Sequence, residues 1–418
     1  MGYKRGPMLT TSRRLAAAAL FSLLPACIVP GDLPDDGTGG GTSGGPVPGS
    51  ADVKVATTWA ATPAACDVVV TKVITVSAPL TIEPGAQVCF QPDTGMVVTE
   101  TGSLTAEGTA AAPIVMAGTV ATAGSWKGIN VISNNPANRF THVTFQHAGA
   151  PESLCCGVFL GGENVQAALI LGDKAEASQA AVEDCLFKDV GAHGAFVFPS
   201  ARFSSFARNR FEAVAKAPVA LPLDAAGALD TASSYSGTVR VLETGDSLEV
   251  PVTLRALPVA WGMSMGVADR TFKLRAKLTV EAGARLEFEA KGALIVDEVG
   301  SLEVQGTAAK RVLLTGKVQT PGYWRGIGLL SLTNSLAFAD VEYGGNVDGL
   351  CCGFFINGQN ARANLVVGDY VTAAAVTLSN VTSTHSGGAG IVALSESTVT
   401  QSGTNDLVTS NAAANAGL

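Results

Sequence analysis

Apolar and polar residues alternate in short runs along most of this chain. "LTIEP" from Leu80, "SLTAEG" from Ser103 and "LIVDEVGSLEVQG" from Leu294 each put every second side chain on an apolar face. That period of two predicts β-strands with one buried face. Ile82, Leu104 and Trp126 are 22 residues apart, and Val280, Leu302 and Trp324 repeat the interval. Gly85, Gly102, Gly108, Gly283, Gly300 and Gly306 punctuate the runs. "EPGA" at Glu83–Ala86 places Pro and Gly at the two central positions of a type II turn. Strand and turn in laps of about 22 residues predict a solenoid whose laps stack at the roughly 4.8 Å strand spacing.

The pattern is itself duplicated. "LTIEPGAQVCF" at Leu80 returns as "LTVEAGARLEF" at Leu278, "GSLTAEGTAA" at Gly102 as "GSLEVQGTAA" at Gly300, and "GSWKGI" at Gly124 as "GYWRGI" at Gly322, all shifted by 198 positions. "LCCGVFLGGENVQAALILGD" at Leu154 returns as "LCCGFFINGQNARANLVVGD" at Leu350, shifted by 196. The predicted fold class is all-β, a right-handed parallel β-helix of two tandem copies, residues 53–250 and 251–418. About 16 laps are expected, or roughly 70–80 Å of stacking. The competing architecture, two β-sandwiches, would use Asn-Gly or Asp-Gly hairpin turns. These are scarce: Asp348-Gly349 and Asn357-Gly358 both lie around the second Cys-Cys pair.

The run "LTIEPGAQVCF…GSLTAEGTAAAPIVMAG…GSWKGI" resembles the opening of bacterial right-handed parallel β-helix repeat lipoproteins, myxobacterial ones among them. "VEDCLFKDVGAHGAFV" and "LSNVTSTHSGGAGIVA" are similar to generic laps of that family, so the resemblance covers most of residues 53–400. It implies the scaffold and almost nothing about function, because the scaffold hosts lyases, adhesins and passive surface proteins alike.

Residues 1–27 read as a lipoprotein signal peptide. Lys4, Arg5, Arg13 and Arg14 form a positive n-region, and "LAAAALFSLL" from Leu15 is an apolar stretch too short to span a bilayer. "LPAC", Leu24–Cys27, resembles a lipobox, which makes Cys27 the expected lipidation site. Residues 28–52, rich in Gly, Pro, Ser and Asp, read as a flexible tether. Ile28 after the cysteine leaves out the inner-membrane retention Asp of enteric bacteria and favours an outer membrane or the cell surface. The whole chain carries 27 basic and 35 acidic side chains. Removing residues 1–26, which hold four basic and no acidic groups, leaves 23 against 35, a net charge of −12. Such a body does not seek phosphate backbones, so no nucleic-acid partner is expected.

An exported chain permits disulfides. Cys66 and Cys89 are replaced together, by Ser264 and Glu287, in the second copy, the behaviour of a bonded pair. Cys155, Cys156, Cys351 and Cys352 lie too far apart along the stack for a bond between copies. The open alternatives are vicinal Cys155–Cys156 and Cys351–Cys352 rings, free thiols, or a bond to Cys185. Cys185 reads as an inward core thiol, since Val381 replaces it. The retained Asn164, Asp173, Asn360 and Asp369 are candidate ligand-binding residues, for a sugar above all, or else turn caps. His142, His147, His193 and His385 lack metal-ligand spacing, so neither a metal nor a cofactor is expected. Asp184, Asp189, Lys188 and Arg208, and Asp340 and Glu342 near Arg325, are the nearest approximation to a lyase-like carboxylate and base cluster. No nucleophile elbow or phosphate-binding loop is present. The expected function is a non-enzymatic, lipid-anchored envelope protein with a structural, adhesive or binding role. Its expected partners are the membrane, through the lipid, and a cell-surface polysaccharide or another envelope protein. The second reading is a carbohydrate-binding or polysaccharide-lyase-like protein.

Overall fold

The structure is a computed structural model that describes residues 47–49, 51–152, 154, 159–160, 163–173, 175–264, 271–350, 354–356, 358–394 and 396–417. Residues 1–46, with Cys27 and nearly all of the tether, lie outside the described residues, as do Cys155, Cys156, Cys351 and Cys352. The fold is a parallel β-helix. Each lap contributes a strand to up to three ladders, and every ladder between laps is parallel. In the first copy these are sheet I (seven strands, Val47–Gly49 to Arg210–Val214), sheet II (beginning at Val73–Val76) and sheet III (six strands, Thr57–Trp59 to Ala201–Ala207). The second copy continues sheet II to twelve strands and adds sheets IV (Ser247–Leu248 to Ala389–Ala393) and V (Val252–Leu254 to Thr398–Ser402). Twelve strands is fewer than the expected number of laps, because several laps carry long excursions. One of them separates Ile129–Val131 from its neighbour Ala167–Leu171. Among the described residues the one helix is a short 3₁₀ segment, Leu223–Ala228, near the junction of the copies.

The alternation in the sequence becomes an inside and an outside. Leu80 and Ile82, Leu104 and Ala106, and Leu278 and Val280 are almost fully buried, and their polar neighbours face outward. One continuous apolar core runs from Val53 to Leu407 through both copies. In both copies a Trp caps a stacked aromatic pair, Phe90–Trp126 at 3.9 Å and Phe288–Trp324 at 4.2 Å between ring centroids. The indole N–H donates to the carbonyl of Gln146 or Glu342, so neither ring buries an unsatisfied donor. The type II turn forms as expected, with Gly85 at φ 85° and the Ala86 N–H donating to Glu83 O at 3.2 Å.

The slip from 198 to 196 has one location. The corner Ser133–Asn138 is six residues, and its counterpart Ser331–Asn334 is four. Both corners end on a buried Asn with the same work. Asn138 Oδ1 accepts from Leu104 N–H, and Nδ2 donates to Ser133 O and Gln179 O. Asn334 repeats this with Leu302, Ser331 and Ala375. A side-chain amide thus stands in for missing backbone partners where the chain turns. The Asn-rich C-terminus uses the same device. Asn405, Asn411 and Asn415 accept from the backbone N–H groups of Val381, Ser386 and Ile391, and Leu407 is buried. Residues 403–417 therefore form a last, partial lap that covers two of the three open edges, with bridges at Asp406 and Ala416.

At the junction the copies are out of step. Phe90 and Phe288 are equivalent positions, yet Gln87–Phe90 belongs to sheet I and Arg285–Phe288 to sheet II. Likewise Ile129–Val131 lies in sheet II and its counterpart Gly326–Leu329 in sheet IV. The second copy is displaced by one face around the coil.

Candidate functional site

The displacement runs sheet II through the junction, where its outer face forms a groove of about 500 Å³. The strands that build it are His193–Val197, Val219–Pro222, Val239–Leu242, Trp261–Ser264 and Arg285–Phe288, paired in that order. Alternation decides which side chains line it. Val239, Val241, Trp261, Met263, Leu286 and Phe288 are buried inward. Arg240, Gly262, Ser264 and Glu287 therefore face outward and line the groove together with His193, Lys216, Glu289 and Lys317. Gly262 lies between Arg240 and Glu287 in the ladder, so two lateral side chains are separated by a step that carries none. A Cβ there would meet Thr238 Cγ2 at 2.7 Å.

The groove is electrostatically divided. At one end, Glu287 is paired with Arg285 (2.7 Å) and Glu289 with Lys317 (3.7 Å). At the other, the Lys216 ammonium donates to Gln166 Oε1 at 3.0 Å and Arg240 Nε to Ser264 Oγ at 2.8 Å, both neutral acceptors. Between these cations sits His193, 5% exposed, with Nδ1 accepting from Ala217 N–H at 3.2 Å. Burial, with Arg240 and then Lys216 adding to it, pushes the imidazole down to about 3. The ring is neutral near pH 7, carries its proton on Nε2, and is a weak base. Such an arrangement can hold an anion; the one imidazole in it is poorly placed for proton abstraction.

The residues singled out from sequence are spread elsewhere. Asp173 and Asp369 each lie two residues past a strand, Ala167–Leu171 and Ala363–Val367, and cap the next turn. Asp173 Oδ1 accepts from Ala175 and Glu176 N–H, and Asp369 Oδ1 from Val371 and Thr372 N–H, at 2.7–2.8 Å. Asn164 is exposed on a two-residue strand. Asn360 lies on the matching strand and donates to Asp348 O at 2.9 Å. Both strands belong to small antiparallel hairpins, Phe159–Leu160 with Glu163–Asn164 and Phe355–Ile356 with Gln359–Asn360. Of the Asn357-Gly358 dipeptide, Gly358 directly precedes the second strand of that hairpin, and Asn357 lies outside the described residues. The first excursion leaves between sheets I and II, the second between sheets II and IV. The two excursions thus open from different corners, and Asn164 and Asp173 are not brought together with Asn360 and Asp369. Phe354 and Leu350 fold the second excursion back over the outside of sheet IV, onto Ala363, Val366 and Ala389.

Cys66 and Cys89 form a disulfide with Cα atoms 5.7 Å apart. Cys185 is a free, buried thiol, and burial pushes it up to about 12, so it is inert at neutral pH. His142, Asp184 and Arg208 occupy left-handed corner positions on successive laps, as do His147 and Asp189 (φ 47–64°). Arg208 grips Asp184 with two bonds of 2.8 and 2.6 Å, which holds that carboxyl below its ordinary range. Asp340 is not partnered by Arg325: Arg311 clamps both of its oxygens at 2.7–3.0 Å. Among the described residues no three His, Cys, Asp or Glu side chains converge as metal ligands would. No helix among them is long and apolar enough to cross a membrane.

The groove was not readable in the sequence, since its residues come from laps spread over 193–317 and only strand pairing unites them. Comparison of the chain with family models, curated proteins and solved structures finds no match.

Proposed function

We propose that this chain is a lipid-anchored protein of the bacterial cell envelope, held through Cys27 and a Gly/Pro-rich tether, whose β-helix serves a structural, adhesive or binding role at the cell surface. One observation carries the reading: a positively charged leader ends in Leu-Pro-Ala-Cys, a tether-like run follows, and the first strand of a parallel β-helix, Val47–Gly49, lies near the end of that run. A lipid and a flexible spacer are the means of holding a folded body clear of a bilayer. Binding is favoured over bond cleavage by what the carboxylates do. Asp184 and Asp340 are each clamped by an Arg, and Asp173 and Asp369 cap turns. The cell-surface polysaccharide or second envelope protein expected from the sequence remains the class of partner such a surface would meet.

The test is metabolic labelling with a palmitate analogue in an expressing bacterium, followed by membrane fractionation. The wild-type chain takes up label and sediments with the membrane, while Cys27→Ser does neither. Label and sedimentation unchanged by Cys27→Ser overturn the anchor.

A further inference from the structure

We infer that the groove across sheet II is a binding site for a small oxyanion, a carboxylate or phosphate group, held between Lys216 and Arg240. Three observations on the groove converge. It is concave and about 500 Å³, within the roughly 300–1,000 Å³ of small-ligand sites. Its carboxylates already have cationic partners, Arg285 on Glu287 and Lys317 on Glu289. Among the described residues its other two cations, Lys216 and Arg240, contact neutral oxygens, Gln166 Oε1 and Ser264 Oγ. Two like charges without a counter-charge in one concavity raise the potential there, and low-dielectric walls focus it. An anion relieves that repulsion and gains charge-assisted hydrogen bonds.

The remaining lining suits the same ligand. The Arg240 Nε is engaged by Ser264, which fixes the guanidinium plane and leaves its terminal nitrogens for an oxyanion. His193 Nδ1 is occupied by Ala217 N–H, so the ring offers a donor at Nε2 and no competing acceptor. Gly262 leaves the step beside Arg240 without a side chain, which makes room over Thr238 and Ser264. Among the described residues no Phe, Tyr or Trp lines the groove, so a nucleobase or a sugar ring has no large apolar ring to stack on there. The site is independent of how the chain is attached to the envelope.

The experiment is isothermal titration of the full-length chain in detergent at low ionic strength, with inorganic phosphate in one arm and citrate in the other. Saturable binding is expected in at least one arm, and the tighter arm identifies the phosphate or the carboxylate source. Arg240→Ala and Lys216→Ala should each weaken it about tenfold or more, the loss of one charge-assisted bond. Arg139→Ala, which removes a cation engaged with Glu107 away from the groove, should leave it unchanged. Arg240 and Lys216 lie outside the core, so thermal melting of the variants should match wild type and separate lost binding from lost folding. Two results overturn the inference: neither anion saturates by about 20 mM, well above the millimolar range of weak specific sites, or the Arg240→Ala, Lys216→Ala double variant binds as wild type does.

Discussion

The two copies fill the same interior space in two chemically different ways, and exchanging them is a stringent test of the packing. In the first copy Phe145, Phe187 and Phe211 stack face to face on successive laps, at 4.8 and 4.7 Å between centroids. Ala168 is a buried small residue of the same laps. At the equivalent positions the second copy has Val341, Ser383 and Leu407, and Asn364 in place of the alanine. Asn364 is fully buried. It accepts from Gly344 N–H at 2.8 Å and donates toward Val341 O, Thr384 O and Ser383 Oγ at 2.9–3.1 Å. The volume a phenyl ring occupies in one copy is taken by an amide network in the other.

Asn364→Ala strands a buried N–H and loosens several acceptors, at a cost of about 2–4 kcal/mol. Ser383→Phe alone drives a ring into the amide and costs about 1–3 kcal/mol. The double variant recreates the Phe187 and Ala168 pairing, with Val341 and Leu407 above and below. It should be less destabilised than the sum of the single changes by about 2 kcal/mol. Urea unfolding followed by far-UV circular dichroism gives the three midpoints and the coupling. Additivity within about 0.5 kcal/mol would mean that the two sites do not share that space, and the argument would fail.

Two further predictions concern the N-terminal laps. Breaking Cys66–Cys89, which closes a 23-residue separation, by Cys66→Ser with Cys89→Ser should cost about 3 kcal/mol of stability. Unreduced peptide mapping of the wild type should yield the linked pair, and two separately alkylated peptides would refute the bond. Asp67 is buried, and its burial alone would raise its pKa. The hydrogen bonds it accepts from Thr62 and from the backbone of Gln87 outweigh that and hold it below 3.8. Because the folded value is depressed, its stabilisation is present above the unfolded pKa and is lost as pH falls through the folded one. Acid melting curves of wild type and Asp67→Asn should therefore differ at pH 5–7 and converge well below pH 3.8; a constant difference down to pH 2 would exclude the carboxylate as the cause.

Much of the coil was legible from the sequence because burial imposes period two and the turns demand particular residues. Leu104 and Ala106 are inward with Thr105 turned away between them, and Gly85 stands where φ is positive. The loss of Cys66 and Cys89 together reported a covalent bond across adjacent laps. Other features depend on distance in space rather than along the chain. The buried Asn138 and Asn334 look like ordinary polar loop residues until the lap beneath supplies Leu104 and Leu302 as donors. Residues 223–250 of the junction have no second copy to be aligned with, so the displacement by one face left no periodic trace. The partner of Asp340 is likewise set by stacking: Arg311 is 29 positions away in sequence and one lap away in the stack, whereas Arg325 is nearer along the chain.

The central claim is that a single parallel coil runs through the junction of the copies, with Val219–Pro222 hydrogen-bonded in register to Val239–Leu242. Ala220 and Arg240 are ladder partners on the same face of neighbouring strands, and such partners lie within disulfide reach. Ala220→Cys with Arg240→Cys, oxidised in air and mapped by mass spectrometry, should give a 220–240 linked peptide in high yield. Two freely alkylated thiols at those positions would contradict the account.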